Sequence, residues 1–292
     1  MNTQSKSFTV RVPASSANLG SGFDAVGMAL SLYFEIGIIG DTDIPEGAQR
    51  IGQRHPAHGA FLLNGGHGEL WVRSVIPMGR GLGFSGAARI GGAVAAHAQR
   101  HGDSIEKLHQ EREHILAMTT QLEGHPDNVA ASLVGGVVVS ASGRVVRVPL
   151  GLDPTVVVWI PESQTSTHEA RTTLDKSVPL QDAVFNIGHA SLLIAALAAG
   201  DVSALRVATQ DRLHQDVRLA AAPESAAAMQ CALSAHSWCA WLSGSGPSVA
   251  AMCAAHDASA LAALMPSNGT VKILNIDLVG AVIALRSVGA GR

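Results

Sequence analysis

The strongest constraint in this chain is GRGLGFSGAAR, Gly79 to Arg89. Its glycines free the backbone for turns that other residues resist. A strand-like LWVRSVIP precedes it, and an alanine-rich, helix-like run from Ala87 to Arg100 follows, broken only by Gly91 and Gly92. A strand, a glycine turn and a helix in this order allow three ligand readings. In the first, Gly81, Gly83 and Gly86 spell the GxGxxG of a dinucleotide site, and Asp103 stands about 20 residues on, where a ribose-binding acid belongs. That match is weak, because Pro77, Met78, Gly79 and Arg80 separate strand from motif and no repeating strand–helix alternation begins here. The second is a Walker loop, which requires a lysine at the helix start. Lys6, Lys107, Lys176 and Lys272 all lie elsewhere. The third is a lysine-free phosphate cradle, in which backbone N–H groups and the helix dipole meet the negative charge, with the Ser85 hydroxyl beside phosphate or metal. A plain strand-to-helix turn without a ligand stays open on this loop alone.

The rest of the chain divides around this segment. Residues 7–14 alternate apolar and polar as a strand does, and SSANLGSGFD, Ser15 to Asp24, breaks the pattern with a polar loop. Another strand-like segment spans Leu30 to Ile39, followed by a Gly-, His- and Pro-rich stretch over 40–70. Ser104 to Leu122 places Ile105, Leu108, Ile115, Leu116, Met118 and Leu122 largely on one helix face, with Asp103 and Glu106 resembling a capping box. A hairpin is expected around Ala141, Ser142 and Gly143, with a fresh strand at Thr155. The natural division is therefore a first lobe over 1–152 and a second over 153–292. In the second half, helical runs near 180–200 and 203–215 and an alanine-rich 219–235 lead to a second glycine turn, SGSGPS.

Composition narrows the partner. The 292 residues are 47% hydrophobic and 15% charged with a net charge of -3, which suits a compact fold and offers no basic footprint for nucleic acid or an anionic membrane. A small-molecule partner is expected. Cys231, Cys239 and Cys253 form no CxxC pair and read as free buried thiols of a reducing compartment. MNTQSKSFTV lacks the apolar stretch of a signal peptide, and no uncharged apolar run reaches the roughly 18 residues of a membrane span, so a cytoplasmic location is expected.

Four further groupings carry chemistry. In EGHPDN, Glu123 ends a helix, where the dipole disfavours negative charge, so a compensating partner such as Mg²⁺ is expected; a solvated Glu beside a glycine cap is the plainer alternative. Asn18 and Asp24 flank glycines, while Arg171, His214 and Arg218 are donors suited to an amino acid's charged groups. Singly, each reads equally as a turn residue or a surface ion-pair partner. His97 and His101 share a helix face, but no third ligand is evident nearby. Ser85 is not set in GxSxG, which argues against acyl transfer.

Taken in order, VRVPASSANLGSGFDAVGMAL, IPMGRGLGFSGAA, EGHPDNVAASLVGGVVV, STHEARTTLDKSVPLQDAVFN, DRLHQDVR and WLSGSGPSVAA cover nearly the whole chain. Together they resemble the GHMP superfamily of small-molecule kinases, and within it the homoserine kinase family most closely. The resemblance implies an α+β, two-lobe GHMP kinase fold, with a left-handed β-α-β unit in the N-terminal lobe, against the usual right-handed rule, and a ferredoxin-like α/β sandwich as C-terminal lobe. It implies ATP-dependent phosphorylation of the side-chain hydroxyl of L-homoserine, giving O-phospho-L-homoserine on the route to threonine. By similarity Pro77, Gly79, Arg80, Gly81, Leu82, Gly83, Phe84, Ser85 and Gly86 bind ATP, and Ser85 with Glu123 binds Mg²⁺. Asn18, Asp24, His125, Asn128, Thr167, Arg171 and Arg218 line the amino-acid site, with Asn128, Asp24 and Arg171 closest to the reaction. No Lys–Asp base pair is evident, so the hydroxyl proton is expected to pass late to the transferred phosphoryl group, with Asn128 orienting the hydroxyl. A homodimer is left open.

This chain departs from the family pattern at several points. Phe84 and Gly86 stand where Ser and Ala are usual, His55-Pro56 replaces an Asn-containing helix start beside the adenine, Ser21 replaces a Pro, and Asp216-Val217 replace Pro-Tyr. These changes keep two alternatives in view: a kinase of the same superfamily for another small carboxylate-bearing alcohol, and a nucleotide-binding sensor that has lost turnover.

Overall fold

The computed structural model describes residues 8–40, 44–165, 167–175 and 177–285. Strands β1 (Phe8–Ala17) and β2 (Val26–Ile38) form a long antiparallel pair. The expected loop from Ser15 starts later, because the buried hydroxyls of Ser15 and Ser16 find partners on other segments and let β1 run on under the site. After the short β3 (Gln49–Arg50) and α1 (Pro56–Leu63), β4 (Leu70–Ser74) pairs with the Phe34–Ile38 end of β2. The chain then passes through α2 (Phe84–His101), α3 (Ile105–Glu123) and α4 (Asp127–Val134). It re-enters as β5 (Val137–Ala141) on the Val26–Met28 end of the same β2 edge and turns back as β6 (Arg144–Arg147). That turn is the expected hairpin, with Ser142 and Gly143 both at positive φ, as a tight two-residue loop requires.

Helix α2 lies against α1, α3, α4, β1 and β2. Its alanines explain why it can. Ala87, Ala88, Ala93, Ala95 and Ala96 are wholly buried and small enough to bring neighbouring backbones close.

The second sheet holds β7 (Thr155–Pro161), β8 (Cys239–Leu242), β9 (Val249–Cys253) and β10 (Gly269–Asn275), all antiparallel, in the order β10-β7-β9-β8. Helices α5 (Thr167–Thr172), α6 (Leu180–Ala199), α7 (Val202–Ala208), α8 (Gln215–Ala220) and α9 (Pro223–Ser234) connect β7 to β8, and α10 (Ala258–Leu264) connects β9 to β10. A strand order of fourth, first, third, second is the expected ferredoxin-like arrangement. Trp159 and Trp241 are fully buried on its central and edge strands.

Two features differ from expectation. The last described strand, β11 (Val282–Leu285), does not stay with the second sheet but pairs with Phe8–Arg11 of β1, so 153–292 is not wholly a second lobe. Among the described residues, α6 is long and apolar enough to cross a membrane by length and composition. It packs along α7 through a buried stripe of Leu193, Ala196 and Leu197.

Candidate active site

Three glycine-bearing loops, far apart in sequence, meet along one cleft. The Ser16 hydroxyl lies 2.7 Å from that of Ser243 and accepts from Trp241 Nε1 at 2.9 Å. Ser243 Oγ also lies 2.6 Å from the Gly81 carbonyl, and Ala17 O accepts from Gly244 N at 3.1 Å. These buried bonds tie the N-terminal loop, the phosphate-loop candidate and SGSGPS into one rigid floor.

In the middle loop Gly79, Gly81 and Gly83 all lie at positive φ, 68°, 70° and 69°. Only glycine adopts that conformation repeatedly without strain, and it turns successive N–H groups toward one side. A Cβ on Gly81 would sit 2.2 Å from Ser243 O, and one on Gly83 would sit 2.0 Å from Ser15 Oγ. Gly83 is also the N-cap of the 18-residue α2 and supplies no side-chain cap. The first N–H groups of that helix and its positive dipole end therefore face the cleft without a side-chain acceptor.

Ser85, the second residue of α2, donates to Glu123 Oε1 at 2.5 Å. Glu123 ends α3, with Gly124 in the left-handed C-cap. The compensation its position demands comes first from within the chain: the Arg89 guanidinium contacts Glu123 Oε2. Burial lowers the Arg89 pKa from the ordinary guanidinium range. The serine and glutamate oxygens are hard donors side by side, the type Mg²⁺ takes alongside water and phosphate.

Helix α4 supplies the next group. Asn128 Oδ1 accepts from Ser15 Oγ at 2.8 Å, and its amide nitrogen lies 3.2 Å from Asp127 Oδ1. That Asp127 oxygen also lies 2.8 Å from His125 Nδ1, and it accepts from the Asn128 backbone N–H at 2.6 Å. Asp127 Oδ1 thus carries three partners, while buried His125 Nε2 has no protein partner.

Across the cleft, Asn18, Leu19 and Asp24 take positive φ values of 73°, 47° and 57°, a costly backbone for non-glycine residues. Asn18 holds this loop by accepting from Asp24 N at 3.1 Å and donating to Gly244 O at 3.0 Å. Asp24 then faces Arg171 of α5 in a two-pronged pair, 2.7 and 2.8 Å. Hydrogen bonding to Asp24 raises the Arg171 pKa further. Arg218 of α8, only 7% exposed, donates to Gly244 O at 3.2 Å, and its Nε is buried without a partner. Both guanidinium groups lie over the Phe23 ring, at 5.7 and 5.4 Å. The cleft between these groups, lined by Gly81, Ser85, His125, Asn128, Arg171 and Arg218 among others, offers about 250 Å³.

The chain matches the GHMP kinases N terminal domain over residues 48–136 and the GHMP kinases C terminal domain over 193–270. It is 38% identical to homoserine kinase of Streptomyces coelicolor over 94% of this chain and 93% of that one. It is 35% identical to homoserine kinase of Thermus thermophilus over 91% and 94%. The protein belongs to the GHMP kinase family. Homoserine kinase of Cytophaga hutchinsonii shares the fold with a TM-score of 0.82 at 23% identity, covering 97% of this chain and 99% of that one. A mevalonate kinase structure shares it with a TM-score of 0.68 at 13% identity, covering 92% and 99%.

As a GHMP kinase the chain takes ATP as phosphoryl donor, and several expected site residues acquire different tasks. Arg80 lines the cleft and donates to the carbonyls of Pro161 and Glu162 at 2.8 and 2.7 Å, clasping the loop to the end of β7. Gly86 lies inside α2, away from the cleft lining, where a Cβ would come within 3.2 Å of Asn128 Cβ. Its small size lets α2 and α4 approach. Leu82 is buried and holds Ser15 N through its carbonyl, while Pro77 lines the cleft. Phe84 meets Phe34 and His55 edge-on, each at 5.9 Å. His55 caps α1 by accepting from Ala57 N at 3.2 Å, so the departures at 55 and 84 form one aromatic cluster. The Thr167 side chain lies outside the described residues.

Asp127 and Arg89 were not singled out in the sequence. Asp127 stood in view inside EGHPDN, but Arg89 meets Glu123 only through the packing of α2 on α3. Glu111 was missed likewise: it lies 2.8 Å from His97 Nδ1 and 3.1 Å from His101 Nε2 and completes the third ligand position judged absent. Arg100 and Lys107 press on the same groups, so the carboxylate is already matched by cations and the cluster is an ion-pair clamp between α2 and α3.

Proposed function

We propose that this GHMP kinase transfers the γ-phosphoryl group of ATP to the side-chain hydroxyl of L-homoserine, yielding O-phospho-L-homoserine and ADP. The observation that carries this reading is the charge arrangement opposite the glycine loop. Asp24 and Arg171, paired with each other across the cleft, would exchange that pair for the substrate ammonium and carboxylate, with the unpartnered Nε edge of Arg218 as a second donor to the carboxylate. Likeness to curated homoserine kinases over 94% of the chain supports the same choice. Mevalonate and pantoate carry a carboxylate but no ammonium, so they would bring Asp24 no cation beyond the Arg171 it already holds.

In this reading the left-handed glycines and the α2 N-terminus hold the triphosphate through backbone N–H groups. Ser85 and Glu123 would hold Mg²⁺, which when bound neutralises charge on the β- and γ-phosphates. Asn128 orients the acceptor hydroxyl with its amide, itself fixed by Ser15 and Asp127. Alignment and charge neutralisation supply most of what a loose phosphoryl transition state needs. A bond forms between the hydroxyl oxygen and the γ-phosphorus as the bond to the β–γ bridging oxygen breaks. Asp24, Glu123 and Asp127 all have prior partners, so the hydroxyl proton passes late to an oxygen of the transferred group.

The test is coupled ADP release with Mg-ATP and a panel of L-homoserine, L-threonine, pantoate and mevalonate. L-homoserine is expected to give the highest kcat/KM. Turnover of another compound with none on homoserine overturns the reading. Raised thermal stability with ATP but no turnover on any substrate would favour a sensor instead.

A further inference from the structure

We propose that His214 is a positioning residue that sets Arg218 for the substrate carboxylate by serving, in its neutral form, as the hydrogen-bond acceptor for that guanidinium. The inference rests on the amino-acid-kinase reading above and goes beyond it, since His214 does not line the cleft.

The tautomer follows from geometry. His214 Nε2 lies 2.9 Å from the Gly20 carbonyl, which can only accept, so Nε2 carries the proton. Nδ1 therefore presents a lone pair, and it receives Arg218 Nη1 at 3.1 Å. The imidazole cannot turn away. It is 1% exposed, stacked on Phe23 with 4.8 Å between ring centroids, and its backbone N–H is held by Asp211 Oδ2 at 2.8 Å. Asp211 is fixed in turn by Asn186 Nδ2 at 2.7 Å. With Nη1 committed to His214 and Gly244 O, the partnerless Nε edge of Arg218 is what remains for a ligand.

Protonation would undo this arrangement. A charged imidazole would bring an N–H against the guanidinium, donor to donor and cation to cation. The charged groups that face the ring are Asp211, Arg218 and Asp24. Burial acts first and, with Arg218, outweighs the two carboxylates, so the His214 pKa lies below the ordinary imidazole value. The sign is fixed: the neutral acceptor is present above that lowered pKa and is lost as pH falls through it. Affinity for the amino acid therefore weakens on the acid side, while affinity for ATP, bound at the far end of the cleft, does not follow.

Two conservative variants separate the ring's two bonds. In His214→Asn the amide oxygen takes the place of Nδ1 and keeps an acceptor for Arg218. In His214→Gln the longer side chain reaches Gly20 but leaves Arg218 without its acceptor. With Mg-ATP saturating, KM for L-homoserine is expected to rise about tenfold or more in the Gln variant and about threefold or less in the Asn variant, with kcat and KM for ATP little changed in both. The acid limb of kcat/KM for homoserine should move to lower pH in the Asn variant. Equal KM values in the two variants, or an unmoved acid limb, overturn the proposal. Nitrogen-15 chemical shifts of the His214 ring in the wild-type protein supply a test without turnover: a neutral Nε2–H tautomer at pH 7 supports it, and Nδ1–H or a charged ring overturns it. Should wild-type protein fail to phosphorylate homoserine, the substrate reading falls and the ring shifts still decide the role of His214.

Discussion

Glu123 shows how much a single residue discloses before any contact is known. An acid at a helix C-terminus faces the wrong end of the dipole, so its need for a positive partner is legible in EGHPDN alone. Which partner is not legible, because Arg89 reaches Glu123 from another helix, 34 positions away, through α2–α3 packing. Glu123→Gln should lower kcat by about a hundredfold or more, as expected for loss of charge stabilisation at a transferring phosphoryl group. It should also weaken Mg²⁺ dependence, measured by metal titration of initial rates. Asp24 was legible from its glycine flanks but not its role as the anion of a two-pronged pair. Asp24→Asn should raise KM for L-homoserine about tenfold or more while kcat falls less, since a group that binds equally in ground and transition states appears mainly in KM. A collapse of kcat with KM intact would instead make Asp24 the base. Phe84 was conspicuous in sequence as a departure, and its partners Phe34 and His55 explain how the loop tolerates a ring where a hydroxyl is usual.

For whole elements, periodicity served long amphipathic segments well and failed where side chains cap or interrupt. Helix α3 was expected over Ser104 to Leu122 and spans Ile105–Glu123 with Ser104 as its N-cap. The run expected over 203–215 is instead α7, which stops at Ala208, and a break over 209–214 before α8 begins at Gln215. Thr209 bonds back to Leu205 O, and Asp211 captures the N–H groups of His214 and Gln215 to start a new helix. A hydrophobic pattern carries no trace of such capping across a break. In the proposed reading, the glycine loop before α2 is the element on which nucleotide binding depends most. Gly83→Ala places a Cβ against Ser15 Oγ at a left-handed backbone position. The substitution should cost about 1–3 kcal/mol of stability. Titration with a fluorescent ATP analogue should show affinity reduced about tenfold or more, because displaced N–H groups cannot converge on phosphate. Wild-type affinity in that variant would remove the loop from the triphosphate site.

Across the whole molecule, the two-lobe α+β plan was legible from strand and helix order together with the family resemblance. The return of the chain to its first sheet was not, since a short apolar strand bears no mark of its partner. Thiol chemistry gives a global check on packing. Burial lifts Cys239 to about 12 and Cys253 to about 11, so neither supplies thiolate at neutral pH. Aromatic disulfide titration of native protein should therefore modify Cys231 first, and release the other two only with denaturant. Fast reaction of all three would contradict the closed core. The pairing of β11 with β1 also orders events during folding. Val282–Leu285 can close on Phe8–Arg11 only after every strand of the second sheet has been synthesised, because β7 to β10 lie between them in the chain. Until then the outer backbone of β1 is an unpaired edge beside buried apolar residues, able to recruit a strand from another molecule. Polypeptides cut off between β6 and β11 would carry that edge permanently. Covering that edge thus falls to the four residues of Val282–Leu285, which take no part in the glycine loop.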